Sequence, residues 1–176
     1  AECSPKHLVT CPCGGWVRAR HDRLARQLQL LALEIPGAVV EWVPVTPEWP
    51  QEGGEPGQPD LLIRVPGWTP LFVDVAVAFP DARATTPGAA AMDVEGRKRG
   101  KYPVWRDRVR ASPHDFCPFV LEAYGWFGGE TADLLRRLVR RSAMDRGLAE
   151  SAELRRWTEV LSVQLALEQS RILAHG

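Results

Sequence analysis

The chain has 176 residues, 45% hydrophobic and 25% charged, the composition of an ordinary globular protein with room for one real core. No apolar run approaches the roughly 20 residues that cross a bilayer, and no charged stretch leads into a short apolar one, so neither a membrane segment nor a signal peptide is expected in this sequence. The 22 basic and 22 acidic residues cancel, so a uniformly basic nucleic-acid binder is excluded and the distribution of charge carries the information.

At the N-terminus, Cys3, His7, Cys11 and Cys13 crowd together, while Cys117 stands alone in an apolar run and reads as a buried core thiol. That pattern is unlike a secreted disulfide framework and points to a reducing, intracellular setting. The spacing Cys3-x3-His7-x3-Cys11-x-Cys13 offers four ligands soft enough for Zn²⁺, with His21 as a substitute ligand or a helix-start residue. The alternative is a frayed terminus with free thiols. The abrupt start at Ala1-Glu2-Cys3 suggests a piece of a longer polypeptide.

Val17, Leu24, Leu28, Leu31 and Ala32 recur at helical steps and predict a helix from Trp16 to Leu33, stopped by Pro36-Gly37. Ala38 to Val45 is β-branched and predicts a strand, and the Pro- and Gly-rich stretch from Thr46 to Pro59 a loop. Leu61 to Val65 and Leu71 to Ala78 read as an antiparallel hairpin around Pro66-Gly67-Trp68-Thr69-Pro70. After an irregular Pro80 to Gly88, a helix is expected over Ala89 to Tyr102, although Gly96 and Gly100 each weaken it by about 1 kcal/mol relative to Ala. A strand over Phe116 to Ala123 and helices over Glu130 to Asp145 and Glu150 to Ala174 complete an α/β sandwich with a mixed sheet.

The chemistry concentrates between Pro59 and Tyr102. Alternation along a strand sends Val73, Val75 and Val77 into the core and Phe72, Asp74 and Ala76 to the opposite face. Aspartate is disfavoured inside strands, so Asp74 needs a reason; deterrence of edge aggregation is the bland one. Asp60 is a plain turn residue by itself, but across the hairpin from Asp74 it can share one hard divalent cation. Glu95, Lys98 and Tyr102 fall on one helical face with Lys101 at its border, so Lys98 can lean over the carboxylates; an internal Glu95–Lys98 pair is the alternative. Two carboxylates and a lysine suit metal-dependent phosphodiester hydrolysis. The basic run Arg97, Lys98, Arg99, Lys101, Arg106, Arg108 and Arg110 adjoins this motif, and Arg97, Arg99, Lys101, Arg106 and Arg108 are the expected DNA-phosphate contacts. Arg136, Arg137, Arg140 and Arg141 form a second basic cluster, and Trp68 and Trp105 either pack or stack on splayed bases.

Pro59-Asp60, Asp74-Val-Ala-Val77 and Lys98-Arg-Gly-Lys101-Tyr102 resemble the PD-(D/E)XK restriction-like endonuclease domain of certain non-LTR retrotransposon proteins. His7-Leu-Val-Thr-Cys11 with Arg20-His21-Asp22 is similar to that family's cysteine–histidine knuckle and helix start, and Phe119-Val-Leu with Gly125 and Gly128-Gly129-Glu130 to its later strand and glycine turn. The wider superfamily carries its lysine two residues after the second acid; Ala76 stands there, so Lys98 has to substitute from the helix. The resemblance implies an αβββαβ core with C-terminal helices, divided as a partial knuckle over 1–15, a nuclease domain over 16–147 and a packed C-terminal helix over 148–176. It further implies catalysis by Asp60, Asp74, Lys98, Lys101 and Tyr102 and Mg²⁺ or Mn²⁺ on the two aspartates, with Zn²⁺ on Cys3, His7, Cys11 and Cys13. DNA is the implied partner, beside a reverse transcriptase in the parent polypeptide, acting in the nucleus if the source is eukaryotic. The competing readings are a DNA- or protein-binding relative that has lost cleavage, and a Holliday-junction resolvase or repair nuclease of the same fold.

Overall fold

The computed structural model describes residues 15–43, 58–80, 86–101 and 115–175. Helix α1 (Trp16–Ala32) buries the expected stripe of Leu24, Leu28, Leu31 and Ala32, joined by Ala25. The chain then turns through Pro36-Gly37, where Gly37 adopts φ +75°, and a Cβ there would meet Pro66 Cγ at 2.9 Å. Strand β1 (Val39–Trp42) is an edge strand with Val40 alone buried. Gln29 ties it to α1 by donating to Val40 O at 3.0 Å and accepting from Trp42 Nε1 at 3.1 Å.

Strands β2 (Leu61–Arg64) and β3 (Leu71–Ala78) form the expected antiparallel hairpin, in the register Leu61↔Val73 to Ile63↔Leu71. Strand β4 (Asp115–Glu122) runs parallel to β3 over its whole length, and helix α2 (Ala89–Lys101) lies between them in sequence. Parallel neighbours require such a crossover. The sheet is four-stranded and mixed, ordered β1-β2-β3-β4. Helices α3 (Gly129–Arg146) and α4 (Glu150–His175) follow, separated by Gly147 in the left-handed conformation. The expected order of helix, three strands, helix, strand and helices is therefore the observed one.

One sheet face carries the main core. Leu61, Ile63, Val73, Val75, Phe119 and Leu121 pack there against Leu24 and Leu28 of α1, Leu134 and Leu138 of α3, and Trp157 and Leu161 of α4. Helix α4 thus belongs to the same core as the sheet. The opposite face carries α2, packed through Ala91, Ala90 and Val94 against Ala76, Ala78 and Val120. These small side chains let the helix approach the sheet closely. Gly96 and Gly100 sit on its exposed side with open space around them, so they cost propensity without disturbing packing.

A polar network closes the far end of the core. Glu153 accepts hydrogen bonds from Ser142 Oγ, Trp157 Nε1, Arg146 and Arg156, and Glu34 pairs with the same two arginines. The Arg156 hydrogen bond, aided by Ser142 and Trp157 against the opposing effect of burial, pulls the Glu153 carboxyl down to about 2. The second basic cluster is largely engaged within the protein. Arg136 pairs with Asp133, Arg140 with Glu150 and Arg141 with Asp145, while Arg137 lies 4.9 Å over the Trp68 ring. Trp68 itself packs against the main core.

Candidate metal and catalytic site

Strand alternation places Asp74 as expected. Val73 and Val75 are in the main core, while Asp74 projects from the other face, which also carries Phe72 and Ala76, and is only 6% exposed. A carboxylate so placed must be compensated. Lys98 Nζ, from α2 on that same face, supplies the counter-charge at 2.6 Å from Asp74 Oδ1.

Asp60 directly precedes β2. Continuing the hairpin register one step beyond Leu61↔Val73 sets Asp60 across from Asp74. Its backbone N–H donates to Val73 O at 2.8 Å and its carbonyl accepts from Val43 N at 2.9 Å, holding it between β1 and β3. Its Oδ2 accepts from Val75 N at 2.7 Å, so the side chain itself takes up an amide of β3 beyond the last paired residue of β2. The carboxylate is therefore locked beside Asp74 by backbone bonds on both sides. Like charges facing each other across a hairpin repel, which makes the position a natural one for a cation.

The third member comes from α1. His21 Nε2 lies 3.1 Å from Asp60 Oδ2, and its Nδ1 lies 3.0 Å from Asp22 Oδ1. Burial alone would lower the imidazole pKa, but the hydrogen bonds and charges of Asp60 and Asp22 outweigh it and raise it to about 9. In this state an imidazolium donates to both carboxylates. The ligand atoms of His21, Asp60 and Asp74 lie within 4.8 Å of one another. The two carboxylates form an oxygen donor set suited to a hard divalent cation, and His21 could add a ligand only as the neutral imidazole. His21 was expected as a substitute zinc ligand or as a residue that caps or packs at the helix start; it lies in α1 with its ring against Asp60, and the cysteine cluster lies outside the described residues. The signal was in the sequence: His21 stands four residues after Val17 and three before Leu24, on the stripe of α1 that faces inward.

Arg20, its neighbour, is buried at 4% exposure and burial lowers its pKa. Its Nε has no hydrogen-bond partner among the described residues. Glu95 turns away from Lys98 to the start of α3, so the internal Glu95–Lys98 pair does not form. Arg97 is exposed on α2, whereas Arg99 pairs with Glu130 and donates to Phe116 O at 3.4 Å. Lys101 ends α2, but its side chain, together with Tyr102, Arg106, Arg108, Cys3, His7, Cys11 and Cys13, lies outside the described residues. Cys117 is a buried thiol, as expected, and burial is the chief cause that pushes its pKa up to about 12. Among the described residues no helix is long and apolar enough to cross a membrane. No family profile and no curated protein sequence matches the chain.

Proposed function

We propose that the chain is a divalent-metal-dependent DNA endonuclease of the PD-(D/E)XK type. Its activity would be the nicking step of a retrotransposon protein that also carries a reverse transcriptase. The observation that carries this reading is the convergence of Asp60, Asp74 and Lys98 from three separate elements, with His21 closing the cluster. Asp60 and Asp74 would hold the cation by carboxylate oxygens, since Asp60 Oδ2 is occupied by Val75 N and His21 while its Oδ1 has no bond among the described residues. Mg²⁺ or Mn²⁺ held there polarises a phosphate and lowers the pKa of a bound water. Lys98 would keep a fixed positive charge beside the reacting phosphate, offsetting charge that develops during hydrolysis without reorganisation. His21 would orient Asp60, and the cluster's burial on one side leaves the exposed flank of α2, with Arg97, to meet a DNA backbone.

The test is cleavage of supercoiled plasmid by the purified chain. Open-circle product with Mg²⁺ or Mn²⁺ and none in EDTA supports the reading. Tight DNA binding without cleavage under any divalent metal would favour the binding-only relative. Preferential cutting of four-way junctions would favour a resolvase.

A further inference from the structure

We infer that Glu95 is a positioning residue that sets the rotation of α2 so that Lys98 meets Asp74. The inference rests on the reading of Lys98 given above and adds the device that aims it.

Glu95 is a carboxylate at 4% exposure, and its hydrogen-bond partners among the described residues are all neutral donors. Its Oε1 accepts from Thr131 N at 2.9 Å and Thr131 Oγ1 at 2.8 Å, and its Oε2 accepts from Glu130 N at 3.2 Å. It therefore caps α3 from outside, satisfying amides that the helix itself leaves unpaired. The usual cap position gives no help, because it is Gly128, which has no side chain to offer. Gly128 is also what makes room: a Cβ there would sit 2.1 Å from Glu95 Oε1.

Thr131 extends the link to the sheet. Its Oγ1 accepts from Val120 N on β4 at 2.6 Å. Val120 pairs with Ala76 and Pro118 with Asp74 in the β3–β4 ladder. One hydroxyl thus joins Glu95 to the strand whose register defines where Asp74 stands. Lys98 follows Glu95 by three residues, nearly one helical turn, so the rotation fixed at Glu95 is passed to Lys98. At the helix start, Glu122 accepts from Ala90 N at 2.9 Å and Ala91 N at 3.3 Å, which fixes α2 along its axis. The apolar part of the α2–sheet contact is made by alanines and valines, and such a smooth surface does little by itself to prevent the helix from rolling. The two buried carboxylates prevent it.

The experiment uses the full chain and the variants Glu95→Ala, Glu95→Gln, Gly128→Ala and Lys98→Ala. Single-turnover plasmid nicking and DNA affinity are measured for each, and an NMR spectrum of the lysine ammonium groups reports whether Lys98 is held on Asp74. Glu95→Ala and Gly128→Ala should each slow nicking by about 10²-fold, the loss typical of a reacting group displaced by about an ångström, with DNA affinity unchanged. Glu95→Gln keeps the acceptor for Thr131 and should recover most of the rate. Glu95→Ala should add nothing in the Lys98→Ala background. The Lys98 ammonium signal should move in Glu95→Ala and Gly128→Ala but not in Glu95→Gln. An equal further loss in the Lys98→Ala background, or an unmoved Lys98 signal, overturns the inference and leaves Glu95 as a plain helix cap. If the wild-type chain nicks nothing, the endonuclease reading fails and the Lys98 signal still decides the role of Glu95. Should Glu95→Ala not fold, Gly128→Ala carries the same test with the carboxylate retained.

Discussion

Asp60 and Asp74 are held by different means, and the difference sets what their substitution should do. Asp74 is ion-paired with Lys98 on α2, and Asp60 completes backbone pairing through Val75 N. Asp74→Ala is expected to abolish cleavage and leave DNA binding largely intact. Asp60→Ala is expected to abolish cleavage as well, with an added loss of thermal stability from the unsatisfied Val75 amide, checked by melting curves beside the nicking assay. Lys98→Ala should lower the single-turnover rate by about two or more orders of magnitude. If Lys101→Ala proves more damaging, Lys98 is not the operative lysine. His21→Ala should weaken metal binding by about 10–100-fold, as for partners that orient a ligand, read by calorimetric titration with Mn²⁺. Equal affinity in wild type and variant would remove His21 from the site. Both aspartates and Lys98 were legible because each is chemically out of place: a carboxylate inside a strand, an acid opening its partner strand, a lysine one helix away. His21 was not, because the neighbouring cysteines suggested zinc and only its place on the buried stripe pointed inward.

Among the elements, the hairpin and β4 were legible through β-branched and aromatic runs bounded by Pro and Gly, and they fall within a residue or two of expectation. Helix α2 was the hardest, since glycines weaken its propensity and the apolar part of its contact face is alanine and valine. Tertiary capping sustains it, and such capping has no local pattern: Glu122 is 32 residues from Ala90. Glu122→Ala should therefore destabilise the protein by about 1–2 kcal/mol, the upper range for losing a cap. It should loosen α2 first, which amide exchange along Ala89–Lys101 would show. Unchanged protection there would mean that packing alone holds the helix. The basic clusters were legible as charge; the partners of Arg99 and Arg140, on the third and fourth helices, come from the fold, whereas Arg136–Asp133 is a local pair within one helix.

Across the whole molecule, Glu153 ties stability to pH on the acid side. Its pKa is lowered to about 2 from an ordinary 4.5, so the folded state holds the ionised form more tightly than the unfolded chain does. The stability this contributes is complete above about 4.5 and is lost as pH falls towards 2. Melting temperature should fall through that window, and Glu153→Gln should flatten the fall while lowering stability at neutral pH. DNA affinity is expected to be modest for a chain of zero net charge and to rest on Arg97, Arg99, Lys101, Arg106 and Arg108. Its logarithm should fall with log salt by about 0.9 per phosphate neutralised. A salt-independent affinity would contradict phosphate contacts.

The most direct measurement is single-turnover nicking by wild type and Asp74→Ala at equal DNA occupancy, titrated with Mg²⁺ or Mn²⁺. Metal-dependent cutting by the wild type and none by Asp74→Ala is the expected result. Full cutting by Asp74→Ala, or cutting by the wild type that survives EDTA, would show that the carboxylates between β2 and β3 are not where the chemistry occurs.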